Sequence, residues 1–209
     1  FTVIAHKMLT FYGNAEVVAA QYNRLKLYMH YLANIPGVDP GVARFVQNKL
    51  LTYNIYSDWD SPDPGNASYS NASGSAVPLP ARGPRGVPAP LISSWAYITQ
   101  LKLMVDIANA VGSSDDASSF QDDALRSSKK FIQAYLRPTP DGSAAFSDGA
   151  LTAQAANALA LELFPEADPL FGTLLSKEQR SSAVAALVQS VLAADGHSIT
   201  GIIGQRALY

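Results

Sequence analysis

Two kinds of helix alternate along this chain, and that alternation limits what it can fold into. Residues 91–111 are apolar almost all round, with Lys102, Asp106 and Asn109 the main exceptions, so this helix needs cover on most sides. Residues 117–136 instead carry one stripe of Phe120, Ala124, Phe131 and Tyr135, backed by Gln121, Asp122, Asp123, Arg126, Lys129 and Lys130. The pair then repeats. Residues 150–163 are built mostly of Ala and Leu, with Gln154 and Asn157 inside the run. Residues 178–193 follow a Ser176-x-x-Gln179 capping box and are striped by Val184, Leu187, Val188 and Val191. A simple four-helix bundle makes every helix amphipathic. Alternating enclosed and one-faced helices predict an all-α, double-layered ring of helical hairpins. No strand alternation competes with that reading.

The N-terminal third fits the same plan. Residues 1–12 are mostly apolar (Phe1, Val3, Ile4, Ala5, Met8, Leu9, Phe11) and stop at Gly13, a residue suited to the left-handed end of a helix. Asn14 is placed to cap a second helix reaching to about residue 34, on which Val18, Tyr22, Leu25, Met29 and Leu32 form one stripe. A short third helix is expected over residues 42–51. Gly112 ends the 91–111 helix, and Ser113 or Ser114, ahead of Asp115 and Asp116, starts the next with charge suited to a helix N-terminus. A final apolar helix is expected to begin at Gly201-Ile202-Ile203-Gly204.

Residues 53–90 form a long loop that cannot be helical, since Pro62, Pro64, Pro78, Pro80, Pro84, Pro88 and Pro90 break it repeatedly. Loops of such length inside a compact domain are usually functional or disordered. This one places Trp59 between Asp58 and Asp60. It also holds two Asn-x-Ser sequons, at Asn66 and Asn71, which give an expectation of a secreted, extracellular glycoprotein.

Composition narrows the function. The formal net charge of −2 gives no basic balance for nucleic acid or an anionic membrane surface. No apolar run reaches the roughly 18 residues a transmembrane helix needs. With no cysteine, disulfide and thiolate chemistry are excluded. Three scattered His residues without ligand spacing predict neither a metal site nor a cofactor. There is no Gly-x-Ser-x-Gly nucleophile elbow and no Gly-rich phosphate loop. A chain that starts at Phe1 is expected to be a processed form or a fragment.

In a ring of hairpins the loops preceding the inner helices share one rim, so segments 57–90, 141–149 and 194–200 are expected to converge. They bring Asp58, Trp59, Asp60, Asp148, His197, Ser198 and Thr200, with Gln154 one turn inside. A Trp beside acids and amides suits a sugar: the ring covers the apolar face of a pyranose while carboxylates accept from its hydroxyls. Trp59 also reads as a loop anchor, and Asp58 and Asp60 as turn residues ahead of Pro62.

Three segments resemble the (α/α)6 catalytic barrel of glycoside hydrolase family 78, the α-L-rhamnosidases. Asp58-Trp59, followed by Pro90-Leu91-Ile92-Ser93-Ser94-Trp95-Ala96-Tyr97, is similar to the family's Gly-Asp-Trp and its Pro-x-x-Leu-Ile-x-Thr-Ala-Tyr-Tyr. Gln154-Ala155-Ala156-Asn157-Ala158-Leu159-Ala160-Leu161 looks like its Gln-Thr-x-Asn-Ala-Leu-Ala-Leu. Gly196-His197-Ser198-Ile199-Thr200-Gly201-Ile202-Ile203-Gly204-Gln205 looks like its His-x-Thr-Thr-Gly-x-x-Gly-Thr and is the most specific of the three. Ser57, Ile199 and Gln205 depart from the family's Gly, Thr and Thr, and the loop after Trp59 is longer than the family's.

The resemblance implies an inverting hydrolase, in which one carboxyl protonates the leaving oxygen and another activates water. It also implies that neither carboxyl lies in this chain, which corresponds to about half of the twelve-helix barrel. The substrate-side residues it carries over are Asp58, Trp59, Gln154, His197 and Thr200, facing a rhamnose-containing glycoside. The remainder of the barrel is then expected in the same or another polypeptide. Two other readings stand beside this one: a non-catalytic carbohydrate-binding or structural glycoprotein that keeps the ring, and an unrelated helical interaction domain.

Overall fold

The computed structural model describes residues 1–34, 90–147, 153–198, 200 and 206–208. The expected helix at 42–51 and helix start at Gly201 lie outside the described residues. The elements are α1 (Thr2–Tyr12), α2 (Ala15–Ala33), α3 (Pro90–Ala110), α4 (Ser114–Tyr135), β1 (Leu136–Pro138), β2 (Ala144–Phe146), α5 (Ala153–Leu163), a 3-10 turn (Gly172–Leu174) and α6 (Lys177–Ala193).

Most helix ends obey the local chemistry. Gly13 closes α1 at φ 62°, with its N–H on the Leu9 carbonyl. The Asn14 side chain accepts from the Val17 N–H and starts α2. Ser176 and Gln179 form the reciprocal capping box ahead of α6. Ser113 is the N-cap of α4, but its hydroxyl donates to the Asp116 carboxylate rather than accepting from the backbone.

Helix α3 sits at the centre. It packs against α1 on one side and α5 on the other; α2 lies against α1 and α3, α4 against α3, and α6 against α5. Thr2 Oγ1 donates to Gln100 Oε1 at 2.9 Å and His6 Nε2 lies 3.1 Å from Asp106 Oδ2, so α1 and α3 run in the same direction. The inner layer is therefore α1, α3 and α5, the outer layer α2, α4 and α6, and the chain forms part of an (α/α)6 ring. Leu91, Ile92, Ile98, Leu101, Met104 and Ile107 of α3 are fully enclosed, as the all-round apolar pattern requires. The α2 stripe of Val18, Tyr22, Leu25, Met29 and Leu32 is buried to the last residue.

Three expectations change. Residues 136–138 and 144–146 pair as an antiparallel two-stranded hairpin, in the register Leu136↔Phe146, Arg137↔Ala145 and Pro138↔Ala144. Strands of three residues are too short to print an alternation in the sequence. The α6 stripe does not reach the core: Val184 and Val188 are exposed, Leu187 and Val191 half-buried, and the helix buries Ala183 instead. Helix α5 is walled with Ala155, Ala156, Ala158 and Ala160, and a small side chain at Ala183 suits close approach of the two helices. On α1, Thr2 is the buried residue, while Phe1, Ile4 and Phe11 stand in solvent.

Candidate functional site at the ring's rim

Two of the three segments expected to converge do so on a single turn of α5. The hairpin leading into α5 is closed over residues 139–143, where the Thr139 N–H bonds the Ser143 carbonyl and Gly142 takes φ 83°. The Asp141 carboxylate accepts from the Ser143 N–H and from the hydroxyls of Ser143 and Thr139. The hydroxyls first, then that N–H, hold Asp141 at a pKa of about 2. At the hairpin's far end the Phe146 N–H donates to Asn157 Oδ1 at 2.9 Å, and Asn157 Nδ2 donates to the Ala153 carbonyl at 2.8 Å. The Phe146 ring closes a buried cluster with Phe131, which also contacts Tyr135 and Phe164.

The second segment leaves the C-terminus of α6. The Gly196 N–H turns back to the Val191 carbonyl and the His197 N–H to the Ala194 carbonyl. Asp195 at φ 53° and Gly196 at φ 78° both take the left-handed region. For Asp195 this costs roughly 1 kcal/mol, a conformation that short polar side chains tolerate better than most. Gln154, one turn before Asn157, completes the turn from below. Its Nε2 donates to the His197 carbonyl at 2.9 Å and to the Ser190 carbonyl at 3.3 Å, using both amide hydrogens on main-chain oxygens.

The side chains sort accordingly. Gln154 and Asn157 are fully buried. Thr200 is buried, with its hydroxyl 3.0 Å from that of Ser198. His197 is the described site residue whose side chain reaches solvent. Asp58, Trp59, Asp60, Asn66, Asn71 and Asp148 lie outside the described residues. The importance of Asn157 and Asp195 was missed from sequence. Asn157 did carry a signal, as one of two amides inside an Ala/Leu helix, whereas nothing marked the backbone of Asp195.

The exposed Arg206 guanidinium lies over the Trp95 ring at 5.6 Å and pairs with Glu162 Oε1 at 2.8 Å. Lys102, midway along α3, reaches the end of α5 that lies away from the rim. Its ammonium donates to the Leu163 carbonyl and to Asp168, and lies 4.1 Å from the Phe171 ring centroid. Burial lowers the Lys102 pKa, and the Asp168 carboxylate only partly offsets this. Burial alone would raise Asp168, but the Phe171 and Leu170 N–H groups and Lys102 together bring it below its ordinary value. Arg180 donates to the Phe164 and Gly172 carbonyls and fixes the same connection from α6. Among the described residues no group of three or more His, Asp or Glu could hold a metal ion. No described helix is long and apolar enough to cross a membrane.

An inner and an outer layer of helices, with loops gathered over the start of an inner helix, define the class of helical-hairpin ring domains. Within that class the chain belongs to the bacterial alpha-L-rhamnosidase 6 hairpin glycosidase domain family, whose model matches residues 1–209. Among solved structures it is similar to the alpha-L-rhamnosidase from Dictyoglumus thermophilum, at 19% identity and a TM-score of 0.67, over 100% of this chain and 19% of that one. It is also similar to the native alfa-L-rhamnosidase from Aspergillus terreus, at 19% identity and a TM-score of 0.58, over 94% of this chain and 18% of that one. The chain thus spans about a fifth of the length of each. At that identity the two likenesses establish the fold. No curated protein sequence matches the chain.

Proposed function

We propose that this chain supplies the sugar-facing rim of an inverting α-L-rhamnosidase-type glycoside hydrolase. Inversion needs a carboxylic acid to protonate the leaving oxygen and a carboxylate about 6.5–9.5 Å away to activate water. Neither of that pair lies among these 209 residues in this reading. The chain's share is recognition: Asp58, Trp59 and His197 line the pocket, and Gln154 and the buried Thr200 lie beneath it. The rest of the ring comes from the same or another polypeptide. The observation that carries the reading is the turn at 194–197, which presents an exposed His197 side chain from a backbone bonded on both sides.

Release of the chromophore from an aryl α-L-rhamnoside by the intact protein tests it, with the anomer of the freed sugar followed by NMR. Turnover giving the inverted anomer is the expected result. Retention of configuration overturns the mechanism, and absence of both turnover and rhamnose binding overturns the function. Rhamnose binding without turnover supports instead a carbohydrate-binding protein that keeps the ring. The sequons at Asn66 and Asn71 support a secreted glycoprotein, to be checked by a mass shift that an N-glycan-cleaving enzyme removes.

A further inference from the structure

Both ends of the His197 peptide segment are bonded inside the fold. The residue's N–H donates to the Ala194 carbonyl at 3.0 Å, and its carbonyl accepts from Gln154 Nε2 at 2.9 Å. The two residues before it, Asp195 and Gly196, take the left-handed region, at a cost for Asp195 that the bonds around the turn offset. The α6 carbonyl of Ser190 receives the other Gln154 hydrogen, while the Ala194 N–H that would ordinarily close on it goes to Val191 and Leu192. One fully buried amide therefore caps the end of α6 and holds the turn that follows. Above it, the His197 side chain is exposed. The grip is on main-chain atoms, so it sets where the imidazole stands through the backbone.

We propose that Gln154 is a positioning residue for sugar recognition, fixing the backbone of the 194–197 turn so that the His197 imidazole meets the ligand at a set place. This rests on the rhamnosidase reading above and changes the part Gln154 plays in it, from contacting substrate to holding the residue that does. A glutamine suits the task for a physical reason. It brings two N–H donors from one nitrogen to two carbonyls on different segments, which neither a carboxylate nor an apolar isostere can do. Satisfied buried networks of this kind make a local geometry unique.

The test has two arms. Without sugar, hydrogen exchange is measured on the intact protein and on Gln154→Met, which keeps the volume and removes both donors. Amide exchange at Gly196 and His197 is expected to rise at least about tenfold, while exchange in α3 stays as it was. With free L-rhamnose as the probe, Gln154→Met is expected to raise Kd about tenfold. A core variant of α3 remote from the rim, Leu101→Ala, is expected to leave Kd within about twofold despite its loss of stability.

Unchanged exchange at the turn, or an equal rise in Kd for both variants, overturns the proposal. Should Gln154→Met fail to fold, NMR titration of the unmodified protein decides the question. The Gln154 side-chain amide and the His197 imidazole should then shift with the same Kd, and an unmoved Gln154 amide overturns the coupling. A protein whose His197 imidazole ignores rhamnose altogether overturns the sugar reading and the recognition role with it. The exchange arm still reports separately whether Gln154 holds the turn.

Discussion

Tyr22 Oη donates to Asp116 Oδ2 at 2.9 Å, tying the middle of α2 to the first turn of α4. The same oxygen accepts from Lys26 Nζ at 2.7 Å and Ser113 Oγ at 2.8 Å. These bonds, Lys26 first, then Ser113 and Tyr22, bring the Asp116 pKa from 3.8 to about 2. Burial, and then the carboxylate beside it, push the Tyr22 phenol up to about 12. An acid whose folded pKa is depressed adds stability above its unfolded pKa and loses it as pH falls through the folded value. The excess stability over Asp116→Asn should thus be full above about pH 4 and fade towards pH 2. Urea unfolding at a series of pH values checks this, and a gap that ignores pH refutes it.

A methyl group at Gly172 has nowhere to go. A Cβ there would sit 2.5 Å from the Pro165 carbonyl oxygen and 3.0 Å from that of Glu166, both fixed main-chain atoms. Gly172→Ala should destabilise the protein by about 1–3 kcal/mol. The measurement is the urea midpoint with the slope unchanged.

Asn157→Leu removes the acceptor for the buried Phe146 N–H and should cost about 1–3 kcal/mol. The loss belongs to the hairpin. Amide exchange at residues 144–147 should accelerate more than that of α2, where the buried stripe is untouched.

Large apolar side chains stand in solvent on α1 and α2: Phe1, Ile4, Phe11, Tyr12, Leu27 and Tyr31, the last three 64–75% exposed. Where such side chains adjoin, as Leu27 and Tyr31 do one turn apart on α2, they suit a contact face. A polypeptide of these residues alone should bind an apolar dye and associate as its concentration rises, and Ile4→Lys with Phe11→Lys should reduce both. A monomer that excludes the dye counts against further helices covering this face.

The sequence carried the fold wherever burial was periodic. The enclosed helix at α3, the α2 stripe and the capping box at Ser176 are legible because each is a local rule repeated or a spacing with one use. The α6 stripe misled because periodicity says which residues share a face, not whether anything covers it. The 136–146 hairpin was silent because three-residue strands carry almost no pattern. At the site, residue types pointed to His197 and Gln154, but not to how they divide the work. That depends on a side-chain nitrogen meeting a carbonyl 43 positions away, which no local rule encodes.

Helix α5 holds its two flanking loops by main-chain atoms, one by an N–H at Phe146 and one by a carbonyl at His197. Every residue type supplies a carbonyl, and every one but proline an N–H. The loops can therefore exchange their side chains while their anchorage stays as it is. The rim behaves as a socket, into which new ligand preferences can be fitted without redesigning the wall behind it.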